Sequence, residues 1–165
     1  MAEGTQAHGS PPDDPDADEQ FSRLLEGLRA TLPGVEVLFA FLLVLPFQQN
    51  FTKLRGYETR LYVIALTFAG VALVLLIAPS IHQRVRAPFT GLPRRSVRHV
   101  KVGAYLGIAG SVAASLALVT STWLAVTVVY GRGWAVLLAV LIAALLGWSW
   151  FFIPLYVFRD DPYED

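Results

Sequence analysis

The sequence predicts an all-α fold: an integral membrane four-transmembrane-helix bundle, preceded by a disordered acidic tail and an interfacial amphipathic helix. Three observations carry this expectation. Four apolar stretches recur along the 165 residues, near 33–51, 61–81, 102–129 and 134–158, and a helix needs ~20 apolar residues to cross a bilayer. Apolar residues make up 55% of the chain and charged residues 16%, against about 45–50% and about 25% in a soluble domain, so the surplus apolar surface must face something other than water. The sequence between the stretches is basic or polar, as in loops that stay in water.

The net charge of zero conceals an asymmetry. Residues 1–20 hold six acids (Glu3, Asp13, Asp14, Asp16, Asp18 and Glu19) and neither Lys nor Arg, while the rest of the chain holds 13 basic and 7 acidic residues, a net of +6. Residues 1–18 cannot bury enough apolar surface to offset their ordering entropy, so disorder is expected there. No basic segment leads into an apolar one at the N-terminus, so the first span rather than a cleaved leader is expected to act as the targeting signal.

Residues 19–32 read as an amphipathic helix. Phe21, Leu24, Leu25, Leu28 and Leu32 recur at helical spacing, with Arg23, Glu26 and Arg29 between them. Such a helix lies in the headgroup plane with its leucines down; a plain cytoplasmic extension of the first span is the other reading. Thr31-Leu32-Pro33-Gly34 looks like a helix start, with Thr as cap and Pro in a first turn where its missing N–H is harmless. The first span, 33–51, has a short apolar centre, so it either crosses fully with Gln48, Gln49 and Asn50 at the far interface or is re-entrant. Pro46 is expected to kink it.

The second span, 61–81, ends near Ala78-Pro79. The third, 102–129, exceeds the hydrocarbon thickness and should tilt or project. The fourth, 134–158, ends among Trp148, Trp150, Phe151, Phe152, Tyr156 and Phe158, an aromatic cluster of the kind found at membrane interfaces. A short polar tail, 159–165, follows. The N-terminal region, the loop at 82–101 and the tail carry nine Lys or Arg, against four on the other side. The positive-inside rule then puts both termini in the cytoplasm of a multi-pass plasma-membrane protein.

Few residues stand out chemically. Glu36 is the only acid within an expected span and is a candidate intramembrane polar group with Gln48, Gln49 and Asn50. It is expected within the first turn or so of its helix, where the dipole favours a negative charge, so a structural carboxylate is expected ahead of a proton-relay group. Gly103, Gly107, Ser111 and Ser115 form a small-residue ladder on the third span, and Ala139, Ala143 and Gly147 repeat it on the fourth. Small residues let helix backbones approach closely, either inside one bundle or between copies. Arg84, Arg86, Arg94, Arg95, Arg98 and Lys101 are a topology signal and candidate contacts for anionic lipid, worth ~1 kcal/mol each near the surface. There is no Cys, and His82 and His99 lack acidic or thiol neighbours, so no cofactor or metal is expected. Nucleic-acid binding is not expected either. No catalytic residue can be assigned.

The stretch Leu32-Pro33-Gly34-Val35-Glu36-Val37-Leu38-Phe39-Ala40-Phe41-Leu42-Leu43, then Pro46-Phe47, Arg60-Leu61-Tyr62 and Ala78-Pro79-Ser80-x-His82-x-Arg84, resembles a family of small bacterial integral membrane proteins of unknown function, common in actinobacteria. The resemblance covers roughly 20–130 and implies four membrane helices and no particular activity. It also implies that Gln often stands at the position of Glu36. The expected function is therefore a non-enzymatic oligomer or accessory subunit in the lipid bilayer, acting on itself or on a membrane-protein partner. The alternative is a small ion or proton channel or transporter using Glu36 and the polar cluster after Pro46.

Overall fold

The computed structural model describes residues 15–49, 51–89, 97–150 and 152. They form four helices: α1 (Pro15–Val44), α2 (Gly56–Phe89), α3 (Val97–Tyr130) and α4 (Arg132–Leu146), with no strand among the described residues. Each helix contributes to a segment long and apolar enough to cross a membrane: Leu25–Phe47, Gly56–His82, Lys101–Tyr130 and Arg132–Trp150. The architecture is compatible with a membrane protein.

Helix boundaries differ from the sequence reading in informative ways. α1 begins at Pro15, which suits a first helical position. Residues 1–14 of the expected disordered tail lie outside the described residues. The 19–32 segment is not a separate element, because α1 runs unbroken through Pro33. Thr31 caps nothing; its hydroxyl donates to the Leu28 carbonyl at 3.1 Å. Leu28 and Leu32 pack against a buried cluster of Val35, Ala72, Leu76, Ala113 and Ala114. Leu28 and Leu32 are thus spent on α2 and α3. The first candidate span gains its length at this N-terminal side, reaching 23 residues.

Pro46 does not kink α1, which has already ended at Val44. It opens a single 3-10 turn, Leu45–Phe47, closed by the Gln48 N–H donating to the Leu45 carbonyl at 3.0 Å. A second such turn, Phe51–Lys53, leads into α2. Pro79 does not end α2 either; it is buried inside a helix that continues to Phe89. With α2 reaching Phe89 and α3 starting at Val97, most of the expected loop at 82–101 is helical, and residues 90–96 lie outside the described residues.

The core is the α2–α3 interface with α1 laid across it. On α2 the buried face is Ala65, Ala69, Ala72 and Leu76; on α3 it is Ala113, Ala114, Ala117 and Leu124. Alanine on both sides lets the backbones come close. Leu42 and Tyr62 complete one cluster, and the Phe51 ring meets that of Tyr62 edge-on at 5.0 Å. Among the described residues α4 touches α3 and no other helix, through Ala135 and Ala139.

The α3–α4 turn is one residue, Gly131, at φ +88° and ψ 173°. That region is open essentially to glycine alone. Its N–H closes α3 on the Thr127 carbonyl at 3.1 Å, and its carbonyl accepts the Ala135 N–H that opens α4 at 3.3 Å.

Candidate functional site

The α1–α2 connector and the α3–α4 turn lie at the same end of the helices, and between them opens a cavity of about 620 Å³. The connector and the start of α2 bring Lys53, Arg55, Tyr57 and Glu58 to it; the end of α3 and start of α4 bring Thr127, Val128, Gly131 and Arg132.

Glu58 anchors one wall. Arg55 is the residue before α2, and its carbonyl accepts the Thr59 N–H at 3.0 Å. Glu58, at the third helical position, turns back so that Oε2 accepts the Arg55 backbone N–H at 2.6 Å. This is the acidic half of a capping box, which satisfies a donor the helix leaves free. Oε1 accepts the Tyr57 hydroxyl at 3.1 Å. Glu58 is only 8% exposed, and both its oxygens are occupied. The cationic side is looser: among the described residues, neither Arg55 nor Arg132 has an ion pair or a hydrogen bond to its guanidinium.

The opposite wall holds the anomaly. Thr67, Ser111, Ser115, Thr120 and Ser121 each return a hydroxyl to a carbonyl of the preceding helical turn, at 2.7 to 3.0 Å. Thr127 does not. It is 7% exposed, and its Oγ1 is buried without a hydrogen-bond partner among the described residues. One turn earlier, Trp123 Nε1 is buried and equally unpartnered. Tyr57, Tyr130 and Trp134 are exposed around this end, the placement expected at a membrane–water interface.

Glu36 lies far from this cavity. It is the twelfth of the 23 residues from Leu25 to Phe47, the middle of the window rather than its first turn. It is exposed, and among the described residues its carboxylate has neither an ion pair nor a hydrogen bond. Arg29, a conceivable partner, is exposed and does not reach it. Gln48 and Gln49 are exposed beyond the end of α1, apart from Glu36, and Asn50 lies outside the described residues.

The small residues divide by face. Gly103 and Gly107 are buried, and a Cβ on Gly107 would stand 3.3 Å from Leu28 Cδ2. Ser111 and Ser115 are half-buried. A four-residue step overshoots the 3.6-residue turn by about 40°, so the ladder drifts off the interface. The buried stripe continues instead through Gly110, Ala114 and Ala117. On α4, Ala139 is buried while Ala143 and Gly147 are exposed, so the small residues against α3 are Ala135 and Ala139.

Of the basic candidates, Arg84 and Lys101 are exposed. Arg86 falls in the last turns of α2 and Arg98 in the first turn of α3; Arg94 and Arg95 lie outside the described residues. Trp148 and Phe152 stack at 4.6 Å beyond α4, while Tyr156 and Phe158 lie outside the described residues. Among the described residues no three His, Asp or Glu side chains converge.

Glu58 and Thr127 escape a reading by hydropathy. Starting the second span at Leu61 hides an acid one turn earlier. The legible signal was Glu58 itself, an acid three residues after Arg55 at a helix start. Nothing in the sequence separates Thr127 from the hydroxyls that bond back.

The family model for DUF6328, described as a family of unknown function, matches residues 13–154. No curated protein and no solved structure matches the chain.

Proposed function

We propose that this chain, which belongs to the DUF6328 family of unknown function, is a non-enzymatic membrane component that works by assembling, as an oligomer or as an accessory subunit, through the face of α1 that carries Glu36. It sits in the bacterial plasma membrane with both termini cytoplasmic, on the strength of the Lys and Arg bias.

The observation that supports this reading is the position of Glu36. Eleven residues of the segment lie on either side of it, those on the N-terminal side including Glu26 and Arg29, roughly 16 Å at 1.5 Å per residue. An acidic side chain at the centre of a spanning helix costs roughly 2.5–3.5 kcal/mol on insertion scales. Nothing described within the protomer offsets that cost, whereas a donor on another transmembrane surface would. The channel reading uses the same carboxylate. It has less support, because the inner faces of α2 and α3 are closely packed alanine, so a conduit would have to form between copies.

A photocrosslinker at Ala40, one turn from Glu36 and exposed, tests the assignment in native membranes. A discrete protein adduct is expected at Ala40 and none at Val74 on the outer side of α2, with Glu36→Gln lowering the Ala40 yield. Mass spectrometry then distinguishes a second copy from a foreign partner. Only lipid adducts at both positions would sink the proposal. Proton flux through liposomes holding the purified protein, lost in Glu36→Gln, would replace it with the channel.

A further inference from the structure

We propose that the helix that docks on α1 belongs to a different protein and carries a Lys or Arg deep in its span, where the cation pairs with Glu36. This deepens the assembling reading above and rests on it. Along the α1 axis Glu36 lies seven residues from Arg29 and eleven from Phe47, roughly 10 Å and 16 Å, so its side chain reaches neither end of the segment. Charged groups at such depth pair with one another, and a charge-assisted bond is roughly twice as strong as a neutral one. The face is open to a partner. Pro33 and Ala40 flank Glu36, three residues before and four after, and all three are exposed. Neither neighbour is long, so another helix can approach closely. The α4 segment is equally uncovered but carries no acid, so only α1 combines an open face with a deep charge.

A second copy of this chain does not supply that cation. Copies share one orientation in a membrane, so each residue keeps its depth. Within the four segments the basic residues are Arg29, Arg60, His82, Lys101 and Arg132, and each falls among the first five residues of its segment or is its last. Long basic side chains near helix ends extend to the interface, away from the level of Glu36. The hydroxyls are committed as well. Thr67, Ser111 and Ser115, nearest the middles of the α2 and α3 segments, donate to the Val63, Gly107 and Ser111 carbonyls at 2.8, 3.0 and 2.9 Å, and a hydroxyl has one hydrogen to give. The α4 segment has no hydroxyl before Ser149. The donor that matches Glu36 is therefore foreign to this chain.

The test places the full chain, with a photocrosslinker at Ala40, in phosphatidylcholine liposomes with a synthetic leucine–alanine helix of about 21 residues. The helix carries Lys at its midpoint, Leu there instead, or Lys at one end. The midpoint-Lys helix should crosslink saturably, with a yield at least about fivefold above the other two. Glu36→Gln should bring that yield down to theirs. Glu36→Lys should also lose it and should take up a helix with Glu at the midpoint, a swap that a merely structural role of Glu36 would not produce. Equal yields from the three helices, or a midpoint-Lys yield unchanged by Glu36→Gln, overturn the proposal. A second copy as the sole protein adduct at Ala40 in native membranes also overturns it, while leaving the assembling reading standing. Lipid adducts alone in native membranes sink both.

Discussion

Gly110→Ala is the sharpest test of how α2 and α3 are held. A Cβ at this position would stand 2.8 Å from both Cγ and Cδ2 of Leu76 and 3.3 Å from the Leu76 backbone nitrogen. Carbon atoms in contact settle near 3.5–4.0 Å, so the overlap is about 0.7 Å on two atoms at once. Leu76 has little room to withdraw: it is 3% exposed, in a cluster with Val35, Ala72, Ala113 and Ala114. Its backbone nitrogen can retreat only if the helices part. Overpacking of this kind costs about 1–3 kcal/mol. Alanine returns about 0.5–1 kcal/mol of helix preference over glycine, leaving a net loss on the order of 1 kcal/mol. Gly27→Ala is the control, since a Cβ there meets nothing within 4 Å and only the gain applies. Unfolding by SDS in mixed micelles, followed by circular dichroism, should therefore move the midpoint in opposite directions for the two substitutions. A Gly110→Ala protein as stable as Gly27→Ala would refute the close approach at Gly110.

Two further substitutions probe the backbone by the same measurement. Gly131→Ala forces a side chain into the φ +88° turn between α3 and α4 and should lower stability by about 1–3 kcal/mol; a neutral result would mean the turn takes another conformation. Pro33→Ala restores an N–H for the Arg29 carbonyl inside α1 and should raise stability, by up to about 3 kcal/mol. A loss would indicate that α1 starts near Pro33 after all.

The existence of four helices was legible because apolar runs of spanning length leave few alternatives. Their ends were not. Thr31-Leu32-Pro33-Gly34 carries the local signature of a helix start, yet the leucines on either side of it find their place against α2 and α3, and that packing carries α1 through the proline. Gly110 was missed because a strict four-residue ladder was followed where the interface advances by about seven residues every two turns, which selects Gly103, Gly107, Gly110, Ala114 and Ala117. Arg55 and Arg132 are far apart in sequence, and only the shared end of two helical hairpins unites them. Thr127 depends on a hydrogen bond that is missing, a property of distances that composition does not encode.

α1 concentrates the unfavourable features of the chain. Pro33 withholds a helical hydrogen bond, and three residues later Glu36 holds an unpartnered carboxylate at mid-window. The two act differently. The proline's loss belongs to the helix in every state of assembly, whereas the carboxylate's is removed by any surface that offers a donor. Set against a typical folding free energy of about 5–15 kcal/mol, roughly 2.5–3.5 kcal/mol at one residue is a large fraction. Assembly through this face would therefore contribute to the stability of α1 as well as to function. By mass action, stability would then depend on the concentration of the partner surface.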